Sequence, residues 1–355
     1  MRLLVLPRYA PLGASSRLRM YQYVPALRAA GFEVEVSPLF GDAYVRTLYA
    51  GQRAWGDMLS GYVRRLASQW KGASFDAVWI EKELLPWFPA FFERLRGRAV
   101  MLADYDDAVF HRYDRHPSAL VRGLLGRRID AVMQRADVVT AGNEYLAERA
   151  RAAGCPRVEH LPTVVDLERY VPRTGGERHS PLIIGWIGSP ATAHYLRPLA
   201  PMIERLRERT ALRAIALGAR PDQVAGTPFE AVEWSEAAEA EQVATFDIGI
   251  MPLPDEPWER GKCGYKLIQY MASGLPVVAS PVGVNSEIVR PGLNGALADT
   301  PEEWLAALGQ LADDPALRAR LGAEGRKRVE DWYSLQAQAP RLISILQETV
   351  RRGRA

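Results

Sequence analysis

Short apolar runs alternate with helical patterns through the first half of the chain. The runs that predict buried strands cover residues 3–6, 32–36, 77–80, 99–102 and 138–140. Between them, apolar residues recur at helical spacing, as in residues 16–30, a stretch that stops at Gly31. Strands that alternate with helices form parallel sheets with right-handed crossovers. The pattern therefore predicts a parallel α/β unit over the first half.

A polar stretch without apolar periodicity, residues 171–181, interrupts this alternation. Its prolines and glycines are typical of a linker between domains. After it, strands are predicted at residues 182–187, 213–217, 247–251, 276–279 and 295–298, and residues 301–350 are mostly helical. The predicted fold class is α/β, with two Rossmann-like parallel-sheet domains in series, residues 1–172 and 180–333. Such sheets bind ligands outside the carboxyl ends of their strands, so we expect a site in a central cleft that the two domains face.

Composition excludes several classes of protein and adds no positive evidence for a function. The chain has 355 residues, of which 48% are hydrophobic and 25% are charged, and its net charge is +3. This even balance disfavours nucleic acid as a partner, and two cysteines cannot form a disulfide framework. We therefore expect a reduced, cytoplasmic protein. Residues 1–6 are too few for a signal peptide, and no run of about 18 apolar residues predicts a membrane span.

The loop after the first strand lacks the G-x-G-x-x-G pattern of dinucleotide-binding folds, which argues against NAD or FAD. Small residues instead lead directly into a helix, in the order Gly13, Ala14, Ser15, Ser16 and then Arg17. Free backbone N–H groups at a helix start attract anions, so this loop is a candidate phosphate or acceptor site. The alternative is that Ser15 or Ser16 only caps the helix.

Acidic residues follow the fourth predicted strand, namely Asp104, Asp106 and Asp107, with His111 shortly after them. Carboxylates this close repel one another unless a partner neutralises them. They could contact an acceptor, with one carboxylate or His111 handling its proton. They could also hold a divalent cation or cap a helix. We expect the acceptor role and no metal.

The first strand of the second unit also runs into a small-residue loop that precedes a helix. Gly188 allows a ligand to approach the backbone closely, and Ser189 and Thr192 carry hydroxyls that could bond a phosphate. A plain turn between strand and helix, with Thr192 as the cap, explains the same residues.

Two of the five lysines of the chain, Lys262 and Lys266, lie four residues apart at the predicted start of a helix. Cations are disfavoured at a helix N-terminus, because the helix dipole is positive there. A bound diphosphate would remove this conflict, so both lysines are candidate contacts of an anionic ligand. A solvated charged face is the alternative.

Residues 264–289 resemble the donor-site region of family 4 retaining glycosyltransferases, which have the GT-B fold, and residues 136–146 and 161–170 resemble segments before the hinge of that family. The resemblance implies transfer of a sugar from a UDP-, GDP- or TDP-linked donor to a sugar or lipid-linked acceptor, with retention of configuration and with no metal or other cofactor. It also implies that the second domain binds the donor and the first domain the acceptor. A last helix, residues 334–355, would cross back to the first domain.

The chain departs from the family at two glutamates in the pattern E-x7-E, whose positions fall on Gly261 and Gln269. The resemblance therefore implies a divergent donor site, in which Gln269 bonds a hydroxyl, Asn285 or Glu287 contacts the ribose or the nucleotide, and Trp234 stacks on the base. The full implied donor set is Gly188, Ser189, Thr192, Trp234, Lys262, Cys263, Gly264, Tyr265, Lys266, Gln269, Asn285 and Glu287. In the mechanism that the resemblance implies, the helix N-terminus, Lys266 and, as a second candidate, Lys262 stabilise the charge of the leaving diphosphate.

Two other functions stay open at this point. One is a sugar-nucleotide epimerase with the same fold, and the other is a nucleotide-sugar-binding protein without catalysis, which the missing glutamates would suit. Residues 44–71 combine aromatic and basic side chains. That composition suits either peripheral contact with the inner face of a membrane or an ordinary helical segment of the first domain.

Overall fold

The computed structural model of the chain describes residues 1–49, 52, 54–71, 74–93, 98–172 and 180–354. The chain divides into two compact units. Unit 1 comprises Met1–Thr163, Gly261–Cys263 and Gln338–Ala355, and unit 2 comprises Val164–Arg260 and Gly264–Ala337. Residues 164–172, predicted to belong to the first domain, therefore pack with unit 2. Most of the predicted linker, residues 171–181, lies outside the described residues.

The sheet of unit 1 has six parallel strands in the order β2-β1-β3-β4-β5-β6. Their bounds are β1 Arg2–Leu6, β2 Glu33–Val36, β3 Ala77–Glu81, β4 Val100–Tyr105, β5 Val138–Ala141 and β6 Val158–His160. The central strands β3, β4 and β5 are buried along their whole length. Strands covered on both faces read as continuous apolar runs, which is why the sequence revealed them.

The helices of unit 1 are short, apart from α4 and the C-terminal helix. Their bounds are α1 Ala14–Arg19, α2 Val24–Ala29, α3 Asp42–Tyr49, α4 Trp55–Lys71, α5 His111–Asp114, α6 Ala119–Leu125, α7 Arg128–Arg135 and α8 Glu144–Ala152. Single 3₁₀ turns cover Tyr21–Tyr23 and Ala90–Phe92. Within the described residues, no helix is long and apolar enough to cross a bilayer.

Unit 2 repeats the plan with the strand order β12-β11-β10-β7-β8-β9, again parallel. Its strands are β7 Leu182–Ile187, β8 Leu212–Leu217, β9 Phe229–Val232, β10 Ile248–Met251, β11 Val277–Ala279 and β12 Gly295–Leu297. Its helices are α9 Ala200–Arg207, α10 Pro221–Val224, α11 Glu239–Ala244, α12 Pro257–Arg260, α13 Tyr265–Ala272, α14 Asn285–Ile288, α15 Pro301–Asp313 and α16 Pro315–Trp332, with a 3₁₀ stretch at Pro190–Leu199. The last helix, α17 Leu335–Arg354, begins in unit 2, and its residues from Gln338 onward pack with unit 1.

Each sheet has one place where the strand order reverses, and a crevice opens there beside the carboxyl ends of the strands. In unit 1 this switch point lies between β1 and β3, and in unit 2 it lies between β7 and β10. The predicted α/β class with two parallel sheets is confirmed. Ligand-binding residues are expected at these two switch points.

Candidate active site

The switch point of unit 1 is organised around the buried carboxylate of Glu81, the last residue of β3. Its oxygens accept hydrogen bonds from the Ser16 hydroxyl at 2.5 Å and the Arg8 backbone N–H at 2.7 Å, and the Ser15 hydroxyl oxygen lies 3.0 Å from Glu81 Oε1. Glu81 therefore fixes the loop after β1 on the end of β3. Both serines stand out in the sequence, whereas Glu81 looks like one more residue of a strand and was not predicted.

Lys82 follows Glu81 and adopts a φ of 64°, a left-handed conformation that is costly for a lysine. Two backbone hydrogen bonds hold it there: its N–H donates to the Asp104 carbonyl at 2.9 Å, and its carbonyl accepts from the Tyr105 hydroxyl at 2.7 Å. Its Nζ lies 2.7 Å from Asp106 Oδ1 and 3.1 Å from the Ser15 hydroxyl. A strained backbone thus delivers a buried ammonium to the acidic cluster.

Asp106 and Asp107 differ in their electrostatics, although they are adjacent in the chain. Burial alone would raise the pKa of the Asp106 carboxyl, but the charges of Lys82 and Arg19 outweigh it and lower this pKa to about 2. Ser15 also donates a 2.6 Å hydrogen bond to Asp106. For Asp107, burial and the negative charge of Asp106 raise the carboxyl pKa above its usual value. Asp107 is therefore the carboxylate of the pair that is better suited to exchange a proton.

Asp107 is also the more accessible of the two carboxylates, since its side chain is 32% exposed against 12% for Asp106. The Lys262 Nζ lies 3.6 Å from Asp107 Oδ1, and Lys82 Nζ lies 4.0 Å from Oδ2. The cluster of Ser15, Lys82, Asp106, Asp107 and Lys262 therefore offers a partly exposed carboxylate flanked by two ammonium groups. We call it the acidic cluster.

Asp104 does not belong to the acidic cluster. Its two oxygens accept a bidentate pair of hydrogen bonds from Arg19, at 2.8 and 2.6 Å, and a third from the Thr140 hydroxyl at 2.6 Å. Both Asp104 and Arg19 are buried. The predicted catalytic role of Asp104 is corrected to a structural one, because no oxygen of this carboxylate is left to meet a substrate.

His111 is held in place at both ring nitrogens. Nδ1 lies 2.8 Å from Asp114 Oδ1, and Nε2 lies 2.7 Å from the Tyr145 hydroxyl. This arrangement leaves the ring without a nitrogen for an acceptor, so the structure favours Asp107 over His111 as the group that handles a proton.

The rest of the loop after β1 also serves structure. A Cβ added at Gly13 would lie 2.4 Å from the Tyr9 Cβ, so the glycine is required for close packing. Ala14 is exposed, and Arg17 Nη1 donates to the Pro11 carbonyl at 2.9 Å. Within the described residues, no group of three or more His, Cys, Asp or Glu side chains is arranged to hold a metal ion.

The segment Gly261–Cys263 packs with unit 1 and not with the helix that follows it. The Asn143 side-chain amide donates to the carbonyls of Gly261 at 3.0 Å and Lys262 at 2.9 Å. The Cys263 Sγ–H donates to the Asp106 carbonyl at 3.1 Å, and burial raises the pKa of this thiol. Lys262 and Cys263, predicted to bind the donor, thus contact Asp107 and Asp106 of the acidic cluster.

The predicted pairing of Lys262 and Lys266 on one helix is wrong. Helix α13 begins at Tyr265, after Gly264, which takes the left-handed conformation with a φ of 65°. A Cβ at Gly264 would lie 2.3 Å from the Ile288 side chain. Because this glycine breaks the helical path, Lys262 precedes the helix and only Lys266 lies in its first turn. The conflict with the helix dipole therefore concerns Lys266 alone.

At the switch point of unit 2, glycines bring the backbone close to Lys266. A Cβ at Gly188, directly after β7, would lie 2.3 Å from the Trp186 ring and 3.0 Å from Lys266 Nζ. The Lys266 ammonium lies 4.4 Å from the centroid of the Trp186 ring, in a cation–π contact. A Cβ at Gly218, after β8, would lie 2.1 Å from the Gly188 carbonyl oxygen. We call Gly188, Gly218 and Lys266 the glycine–lysine edge.

The Thr192 hydroxyl, which was predicted to bond a phosphate at this edge, makes a hydrogen bond within its own turn. The Thr192 N–H and hydroxyl both donate to the Ser189 carbonyl, at 2.9 and 3.1 Å, and the Ser189 side chain is exposed. This contact is a local turn after β7, but Thr192 is not the cap that the alternative predicted, because the 3₁₀ stretch Pro190–Leu199 begins directly after Ser189.

Gln269 is a core residue. It is 2% exposed, and its Nε2 donates to the Tyr170 hydroxyl at 2.7 Å. Tyr170 donates in turn to Glu239 at 2.7 Å, and Glu239 also accepts from Trp234 Nε1 at 2.7 Å. The predicted donor contacts of Gln269 are corrected accordingly, and the polar edge of Trp234 is engaged by the same network.

The remaining predicted donor residues divide between the interior and the surface. Asn285 is buried, and its amide donates to the Ser280 carbonyl at 3.1 Å, so its predicted ribose contact is replaced by a structural one. Tyr265 is half-buried, and Glu287 is exposed.

Comparison with known proteins gives these two regions a context. Residues 182–314 match the family model described as "Glycosyl transferases group 1". A GDP-mannose-dependent monoacylated alpha-(1-6)-phosphatidylinositol monomannoside mannosyltransferase of Corynebacterium glutamicum is 27% identical over 61% of this chain and 63% of its own length. A D-inositol 3-phosphate glycosyltransferase of Thermobispora bispora is 31% identical over 50% of this chain and 37% of its own length. The chain thus spans less than two thirds of the length of these relatives.

Solved structures of glycosyltransferases share the fold across the whole chain. A sucrose-phosphate synthase from Thermosynechococcus elongatus has a TM-score of 0.71 at 15% identity and covers 98% of both chains. Anabaena Alr3699/HepE in complex with UDP-glucose has a TM-score of 0.71 at 13% identity, over 99% of this chain and 100% of its own. The fold is therefore the GT-B fold, and residues 182–314 carry the group 1 glycosyltransferase match.

Proposed function

We propose that the protein is a glycosyltransferase that moves a sugar from a nucleoside-diphosphate sugar to an acceptor hydroxyl, with retention of configuration. The match of residues 182–314 to the group 1 glycosyltransferase model is the observation that carries this proposal. The names of the two relatives support a glycosyltransferase activity, and that of the Corynebacterium relative, a GDP-mannose-dependent mannosyltransferase, supports hexosyl transfer and makes GDP-mannose the first donor to try. UDP and TDP sugars are the other donors of the proposal.

Unit 2 supplies the donor site at the glycine–lysine edge. When the sugar leaves, the bond between its anomeric carbon and a phosphate oxygen breaks, and negative charge grows on the diphosphate. Lys266 Nζ and the backbone N–H groups at the start of α13 are donors for this charge, and the bare backbone of Gly188 lets the phosphate come close. Preorganised donors of this kind are worth about 3–4 kcal/mol each in a transition state.

Unit 1 supplies the acceptor site at the acidic cluster. The acceptor oxygen forms the new bond to the anomeric carbon, and its proton passes to Asp107, whose pKa is raised and whose side chain is partly exposed. Ser15 and Lys82 keep Asp106 charged, and Lys262 flanks Asp107. The acceptor is a glycan, a lipid-linked sugar or a small hydroxyl compound.

We further propose that transfer needs neither a metal ion nor a resident cofactor. The carboxylates that a cation would bridge, Asp104 and Asp106, already have Arg19 and Lys82 as cationic partners. Both cysteines are free thiols, which supports a cytoplasmic location. In that location we propose peripheral contact with the inner face of the membrane.

The test is a panel of GDP, UDP and TDP sugars, each incubated with and without sugar and lipid-linked acceptors, in the presence of a chelator. We expect one donor to release its nucleoside diphosphate in proportion to a glycosylated product in which the anomeric configuration of the donor is kept. Isomerised donor without acceptor would instead identify an epimerase. Binding without turnover of any donor would contradict the proposal in favour of a non-catalytic binding protein.

A further inference from the structure

Helix α4 of unit 1 turns its apolar side chains to the solvent. Four large apolar residues recur at helical spacing along one face and are 41–69% exposed: Trp55, Leu59, Val63 and Leu66. The opposite, buried face carries small and polar residues instead: Gly61, Arg65, Ser68 and Gln69. Helices on the surface of a water-soluble domain normally show the reverse distribution.

Specific contacts hold the buried face of α4. A Cβ added at Gly61 would lie 2.4 Å from the Leu39 carbonyl oxygen, so the two backbones pack directly against each other. Arg65 is buried, and its Nη2 donates to the Pro7 carbonyl at 2.5 Å. The helix cannot turn its apolar face inward without breaking this packing. The described residues of the unit therefore leave this apolar face uncovered.

A neighbouring segment extends the exposed apolar face. Four more aromatic side chains, between β3 and β4, are 38–60% exposed: Trp87, Phe88, Phe91 and Phe92. The Tyr62 ring of α4 lies 5.2 Å from the Phe88 ring, and Gln69 Nε2 of α4 donates to the Phe92 carbonyl at 3.0 Å. We call the exposed side chains of α4 and of residues 87–92 the outer apolar surface.

Exposed arginines accompany this surface. The Trp87 ring lies 5.1 Å from Tyr113 and 5.9 Å from His116, which connects the outer apolar surface to the α5–α6 region. The exposed arginines on these elements are Arg64, Arg112, Arg115, Arg122 and Arg127. Among the described residues of α4, 87–93 and 111–127, Asp57 is the one exposed acid. The surface is therefore apolar with a positive surround.

Charge decides which partner suits such a surface. A second copy of the chain docking face to face would bring arginines against arginines, and like charges repel. A layer of anionic headgroups attracts the arginines and lets tryptophan, phenylalanine and leucine side chains enter the boundary between headgroups and acyl chains. An anionic bilayer satisfies both properties at once.

We propose that unit 1 docks through the outer apolar surface onto an anionic lipid bilayer. This inference deepens the peripheral membrane contact of the proposed function and rests on it. Sugar transfer to a water-soluble acceptor does not need the surface, so loss of docking and loss of transfer are separable.

The experiment is flotation of the full chain with vesicles of phosphatidylcholine alone and with vesicles that also contain phosphatidylglycerol. Unit 2 offers a matched control, because it exposes one residue of each type at Val171, Leu293 and Trp332. The test variant is Trp55→Gln/Leu59→Gln/Val63→Gln, and the control variant is Val171→Gln/Leu293→Gln/Trp332→Gln. Glutamine keeps a good helix propensity at the replaced positions.

We expect the wild-type chain and the control variant to float with the anionic vesicles, less so at high salt, and not with neutral vesicles. The test variant should bind the anionic vesicles about tenfold more weakly or worse, because three large apolar groups no longer leave water. Thermal unfolding and transfer to a water-soluble acceptor should be the same for all three proteins.

A second variant, Arg115→Gln/Arg122→Gln, keeps the apolar residues and removes two charges, and it should lower the preference for anionic vesicles. The proposal is overturned if the test and control variants float equally, or if no protein floats. It is also overturned if the wild-type chain dimerises without vesicles and only the test variant loses that dimer, since the surface would then bind a second copy.

Discussion

The two units use the same parallel sheet but fill its switch point in different ways. In the described part of unit 1, nine charged side chains are buried: Arg8, Arg19, Arg65, Glu81, Lys82, Glu83, Glu93, Asp104 and Arg128. In the described part of unit 2 there are two, Glu239 and Glu259. The switch point of unit 1 thus contains paired charged side chains. The switch point of unit 2 contains glycine backbone and one lysine.

This difference indicates two kinds of ligand. Paired charges in a buried cluster neutralise one another and leave selected oxygens, such as those of Asp107, for hydrogen bonds with neutral hydroxyls. A glycine-lined edge beside a lysine brings backbone and one positive charge together at the end of the sheet, a combination that suits an anion. We therefore propose hydroxyl recognition for unit 1 and diphosphate recognition for unit 2, and each can be tested without the other.

The largest effect is expected from breaking the buried ion pair of unit 1. Arg19→Met leaves the Asp104 carboxylate buried without its cation, which should lower the free energy of unfolding by about 3–5 kcal/mol. The matched control in unit 2 is Arg213→Met, whose pair with Glu230 is about half exposed and should be worth less than about 1 kcal/mol. Urea unfolding followed by circular dichroism measures both. Equal losses would show that burial does not distinguish these two pairs.

The next largest effect is expected on the transfer rate, from a substitution of Asp107 in unit 1. Asp107→Asn cannot accept a proton and should lower the transfer rate by about 100-fold or more, with nucleotide affinity unchanged. Because the pKa of Asp107 is raised, the wild-type rate should fall with decreasing pH already above the usual range of an aspartate, as the carboxylate becomes protonated. The variant should lack this acidic limb. Asp222→Asn, at an exposed position, is the control, and an unchanged rate in Asp107→Asn would remove Asp107 from the reaction.

A smaller effect is expected at the glycine–lysine edge of unit 2. Gly188→Ala places a methyl group against the Trp186 ring and 3.0 Å from Lys266 Nζ, so nucleoside diphosphate affinity should fall by about tenfold. Gly123→Ala is the control, because nothing lies within 4 Å of a Cβ there and the helix should gain up to about 1 kcal/mol. Calorimetric titration gives the affinities, and equal values for both variants would contradict the placement of the diphosphate at Gly188.

The smallest effect concerns Gln269. Gln269→Met removes the hydrogen bond to the Tyr170 hydroxyl and should cost about 1 kcal/mol of stability, measured by thermal unfolding. Nucleotide affinity should stay within about twofold, because the side chain is buried away from solvent. A large loss of affinity without a loss of stability would return Gln269 to the donor site.

The sequence predicted the strands that are buried on both faces, because these read as apolar runs. It did not predict features that depend on which residues pack together in the folded chain. The two overlooked strands, β6 and β9, are the last strands on one side of each sheet, and they are mostly half-buried, so they do not form a buried apolar run. The loops at Ser15, Asp106 and Gly188 were found because small or acidic residues follow strands there. Glu81 and Lys82 were missed, since a charge at a strand end is ambiguous until its partners are known.

Long-range contacts explain the other errors. Nothing local distinguishes Asp104 from Asp106, yet Arg19 pairs with the first and Lys82 with the second. The helix start was placed too early because the left-handed conformation of Gly264 has no mark in the sequence beyond the glycine itself. The rarity of lysine in this chain was a usable indication, and it applies to Lys82 as well as to Lys266.

The proposed role of Lys266 is to bind a donor diphosphate in unit 2. Calorimetric titration of GDP and UDP into the wild-type chain, Lys266→Ala and the exposed control Lys327→Ala tests it directly. We expect at least one nucleotide to bind the wild type and Lys327→Ala equally, and Lys266→Ala to bind it about tenfold more weakly or worse, since a charge-assisted hydrogen bond is lost. Equal affinity for all three proteins would show that Lys266 does not bind the diphosphate.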